Sequence, residues 1–100
     1  MIDTRDTRMK VINEATHLWR LEQYANRMAE ILTGEEAKNW LTLLSLYRAQ
    51  LSPLMSILMD ECGEEFCGRV RTEGQDRGEE DFRYAKQVRG LKYPAWIERQ

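Results

Sequence analysis

The stretch from Thr4 to Leu32 reads as one unbroken helix, and its apolar side is wider than a helix with one solvated face requires. Val11, Ala15, Leu18, Leu21, Ala25, Met28 and Leu32 follow one another at spacings of three and four, forming one continuous seam. Tyr24 and Ile31 widen it on one flank, Ile12 and Trp19 on the other, and only the sector of Thr16, Arg20, Gln23, Arg27 and Glu30 is consistently polar. At ~1.5 Å per residue the run spans roughly 43 Å. A compact domain of this chain's length has a diameter of only roughly 34 Å. The helix is therefore expected to overhang its own domain, or to cover its excess against a second copy or another protein.

The rest of the chain reads as shorter helices. Gly34 can take the left-handed conformation that stops the first helix, and Thr33, Gly34, Glu35 and Glu36 match a capping box for the next. That second helix, over 35–51, places Ala37, Trp40, Leu44, Tyr47 and Leu51 on one face and runs antiparallel to the first. Ser52 and Pro53 are read as the start of a third helix, or a kink, leading through an almost wholly apolar Leu54–Met59 to about residue 72. Gly63 and Gly68 each weaken that continuation by about 1 kcal/mol relative to alanine. The glycines and charges of 73–78 read as a loop, 79–89 as a last helix, and 91–100 as an apolar tail docked on the bundle. The expected fold is thus all-α: a single domain, 1–100, built as a bundle of four to five helices, with the long first helix antiparallel to a second and third bent at Pro53.

Composition narrows the class. A 42% hydrophobic and 32% charged chain is a folded, water-facing one. No apolar run reaches the ~20 residues of a membrane span, and the first residues lack the apolar stretch of a secretion signal, so the expected location is cytoplasmic, with no membrane partner. Cys62 and Cys67 fit a reducing compartment and, five residues apart on a helix, point in different directions. Charge is segregated along the chain. Residues 58–81 hold nine acids against three arginines, whereas 82–100 hold five bases against one acid. Such a pattern is self-complementary within or between chains, or offers an acidic face to a basic partner.

Candidate sites are few. Glu14 and His17 form a Glu-x-x-His pair, the spacing by which one helix supplies two ligands to a dinuclear metal centre in a bundle. The rest of such a site is missing from the sequence, and only a symmetric dimer could supply a second pair. Cys62, Cys67 and His17 make a poor zinc set. Arg83, Lys86, Arg89 and Lys92, interleaved with Tyr84, Tyr93 and Trp96, form a basic stripe of the kind that contacts nucleic-acid phosphates, but an acidic stretch lies directly upstream. A helix-turn-helix over 40–61 fails because its recognition segment would be apolar. The single histidine lies inside a helix and no phosphate-cradling loop or nucleophile elbow occurs, which argues against an enzyme and against a cofactor.

The reading that remains is a non-enzymatic interaction protein, acting by binding another protein and working as a homodimer. Regulators, adaptors and inhibitors, including those carried by phages and other mobile elements, have this size and character. Ile12 and Trp19 are the candidate interface, with Glu61, Glu64 and Glu65 for electrostatic recognition of the partner. Nucleic-acid binding through the basic stripe is the first alternative, and a dimeric metal-binding bundle at Glu14 and His17 the second.

Overall fold

The computed structural model describes residues 4–88 of the chain. They form three helices of similar length and no strand: α1 (Thr4–Ile31), α2 (Gly34–Cys62) and α3 (Glu64–Val88). The molecule is a bundle of 46 × 26 × 23 Å. The long first helix does not overhang, because its two neighbours grow to match it.

They do so because two expected breaks are absent and one lies elsewhere. Ser52–Pro53 does not end a helix: Pro53 sits inside α2, where it withholds a hydrogen bond from the carbonyl of Ala49. Ala49 and Pro53 are both exposed, so water can take the lost bond. The break occurs instead at Gly63, with φ 85°, which a side chain would strain. Its amide donates to the Met59 carbonyl at 3.1 Å and its own carbonyl accepts from Cys67 at 3.2 Å, so this one residue closes α2 and opens α3. At the other turn Gly34 has φ 67°, and the Leu32 amide donates to Met28 at 3.1 Å. Thr33 occupies the N-cap of α2, but its side chain makes none of the expected capping bonds.

α1 is the central helix. α2 returns antiparallel to it and α3 runs parallel to it, while α2 and α3 meet each other much less. The apolar seam works as the spacing predicts: Ala15, Leu18, Leu21, Ala25 and Met28 are buried against Trp40, Leu44, Tyr47, Leu51 and Leu58 of α2. Tyr24 lies at the junction of all three helices, its ring 5.4 Å from that of Trp40 and 6.3 Å, edge-on, from that of Phe82. Full burial of side chains such as Leu21, Met28 and Leu58 contributes ~1.5–3 kcal/mol each.

The segment 73–78, expected as a loop, is helical, and its glycines face α1. A Cβ on Gly74 would press into the Cβ of Trp19 and lie 2.6 Å from the Thr16 carbonyl oxygen; one on Gly78 would press into the Arg20 carbonyl and lie 2.8 Å from the Gln23 Cβ. The glycines thus let two helix backbones approach closely, at about 1 kcal/mol of helix propensity each. The polar sector of α1 is what they approach. Thr16 is buried, its hydroxyl donating to the Ile12 carbonyl at 2.8 Å.

Candidate functional site

Three surfaces could carry function: the polar seam between α1 and α3, the cleft where α2 and α3 diverge, and the outer flank of α2. The seam is built from the arginines of α1 and the acids of α3. Arg20 grips Asp81 with two parallel bonds, Nε to Oδ2 and Nη2 to Oδ1, the latter 2.8 Å long. This hydrogen bond raises the Arg20 pKa above its ordinary value, against the opposing cost of burial. Glu79 accepts from Gln23 at 3.0 Å and lies 3.2 Å from Nε of Arg27, whose guanidinium stacks 4.8 Å over Phe82. The acid-rich stretch is therefore partly neutralised by the first helix, inside the bundle. Arg27 Nε is buried beside Glu79 without a hydrogen bond, and the other groups bond one another, which makes the seam structural.

The cleft opens over α1 where α2 and α3 part. It encloses about 330 Å³ and is lined by Trp19, Glu22, Leu51, Ser52 and Met55, with Arg48 and Arg71 at its mouth. Trp19 forms its wall: the indole N–H points at the Met55 sulfur 3.3 Å away and Arg71 stacks 5.0 Å over the ring. Glu22 is 4% exposed; one carboxylate oxygen lies 3.4 Å from Arg48, and the other is buried without a hydrogen-bond partner. That volume is at the small end for ligand pockets.

On the side of α2 turned away from that cleft runs an apolar stripe. Leu43, Leu46, Gln50, Leu54 and Ile57 fall within about 80° of arc at 100° per residue. Leu46 and Ile57 are 51% and 45% exposed, Gln50 is exposed, and Leu43 and Leu54 are half-buried at the edge of the core. Pro53, also exposed, adjoins the stripe.

The residues singled out from the sequence are dispersed. Ile12 is half-buried against the core and Trp19 is spent between α2 and α3, so neither forms an open patch. Glu61 is exposed at the end of α2, 3.4 Å from Arg8 of α1. Glu64 and Glu65 are exposed in the first turn of α3, where the helix dipole favours acids. Glu14 and His17 are both exposed, since a carboxylate avoids a desolvation cost by staying in water. Among the described residues no group of three or more His, Cys, Asp or Glu side chains is placed to hold a metal ion. Arg83 and Lys86 are exposed on the last turns of α3 beside Tyr84, itself 57% exposed. Arg89, Lys92 and the tail 91–100 lie outside the described residues. Cys62 and Cys67 are free thiols, the second buried.

The α2 stripe was legible only in part. Leu43, Leu46, Leu54 and Ile57 are apolar in the sequence, but which of them stay exposed depends on where α3 docks. Comparison with protein-family models, curated proteins and solved structures returns no match. Among the described residues no helix is long and apolar enough to cross a membrane.

Proposed function

We propose that this chain is a non-enzymatic interaction protein that works as a homodimer, in the manner of a regulator, adaptor or inhibitor, and that the outer flank of α2 is its contact surface. The observation that carries this reading is the stripe itself. Leu46 and Ile57 lie about half exposed on one line with two further leucines, on the helix that also supplies much of the core. Isolated exposed leucines are ordinary, whereas an aligned apolar row is the mark of an interaction face. The candidate interface thereby moves from Ile12 and Trp19, which are engaged within the chain, to α2. Glu61 stays at the end of the new surface as a polar contact.

Multi-angle light scattering across a concentration series tests the reading. The expected result is a molar mass rising from one chain toward two, and a return to the monomer for Leu46→Glu with unchanged helical circular dichroism. A wild-type monomer at every concentration up to about 1 mM, a concentration at which only weak ~4 kcal/mol contacts go undetected, would overturn it.

A further inference from the structure

The stripe on α2 reads the same from either end. In a two-fold interface each contact occurs twice, residue i meeting j and j meeting i. For two antiparallel copies of one helix, paired residue numbers therefore share a constant sum. With Gln50 on the axis, Leu43 meets Ile57 of the partner subunit and Leu46 meets Leu54 of the partner subunit, each an apolar side chain on an apolar one. One step further out Asn39 meets Glu61 of the partner subunit, an amide donor facing a carboxylate acceptor; both are exposed here. At the axis Gln50 faces its own copy, and a side-chain amide is suited to that place because it both donates and accepts.

We infer that α2 pairs antiparallel with α2 of a second copy across a two-fold axis through Gln50, an inference that rests on the homodimer reading above. Charge selects this direction. The stripe is uncharged from Asn39 to Ile57, so its centre can face itself without repulsion. A parallel pairing would bring Glu61, which lies 3.4 Å from Arg8 of its own chain, beside its own copy, whereas the antiparallel one gives it an amide, and it also opposes the two helix dipoles. Extent sets the strength. Leu43 to Ile57 covers about 21 Å of helix, with four apolar side chains from each copy, well short of the roughly 20–30 residues a side in a standard interface.

Cysteine cross-linking resolves the geometry. In a Cys62→Ser, Cys67→Ala background, checked for helicity, Gln50→Cys should form a disulfide dimer under mild oxidation. Leu43→Cys and Ile57→Cys should each stay monomeric alone and cross-link when mixed. Self-cross-linking of Leu43→Cys would mean parallel helices, and a dimer by light scattering that Gln50→Cys fails to trap would mean another surface; either overturns the inference and leaves the homodimer reading standing. A protein monomeric by light scattering removes both.

Discussion

Adding one carbon at position 74 or 78 tests the close approach of α3 to α1. Gly74→Ala and Gly78→Ala each place a methyl against α1 backbone, so the helices must separate; the expected loss is about 1–3 kcal/mol despite alanine's better helix propensity. Gly68 lies in the same helix with nothing within 4 Å of its added Cβ. There alanine should stabilise by about 0.5–1 kcal/mol. Thermal melts of the three variants should thus split in sign, with shifts of roughly 4–8 °C per kcal/mol; equal effects would disprove the close packing. The two thiols differ as well. Burial, with a smaller contribution from Cys62, raises the pKa of Cys67. At pH 8 a thiol reagent should therefore modify partly exposed Cys62 first and reach Cys67 only on unfolding. Because the folded state holds the Cys67 proton longer than the unfolded chain does, its contribution to stability is intact below the ordinary thiol range near pH 8.5 and declines as pH rises through the raised value.

At the scale of the helix, sequence periodicity finds the polar sector of α1 but not what that sector faces. Thr16, Arg20, Gln23 and Arg27 do share one sector, and it packs against α3, with the two arginines still about one third exposed. Sequence alone could not reveal this, because a wheel ranks faces by apolarity, and a face satisfied by the acids of another helix looks like a solvated one. The same blindness made a loop of 73–78, where glycine is needed for approach and not for turning. By contrast, the α1–α2 pairing was legible, since its contacts are the apolar seam and a short glycine turn. Removing the charge of the α3 partner measures the polar seam: Asp81→Asn should cost about 1–2 kcal/mol, as expected for a charged hydrogen bond that is only partly buried. Urea melts should show it, and should show a smaller effect for Glu73→Gln, whose carboxylate pairs with Arg77 within α3 and is largely exposed.

For the whole molecule, the distribution of apolar surface decides how it meets others. Among the described residues α1 leaves Met9 and Ile31 exposed, whereas α2 leaves Leu41, Leu46, Ile57 and Met59, so α2 is the helix with the most apolar side chains to spare. Since the proposed self-contact is apolar and uncharged at its centre, raising salt from 0.1 to about 1 M should leave the dimer intact or tighten it, whereas an ion-pair interface would weaken as the screening length falls from ~10 to ~3 Å. Sedimentation at the two salt concentrations separates these cases. The glycine contact has one more consequence, in the order in which the molecule loosens. With Gly68, Gly74 and Gly78 in its interior, α3 is a poor helix by itself, and it holds its shape because α1 receives it. Its amides should therefore exchange with solvent through detachment of the entire helix, as one cooperative unit, while the α1–α2 hairpin stays protected until the bundle opens globally.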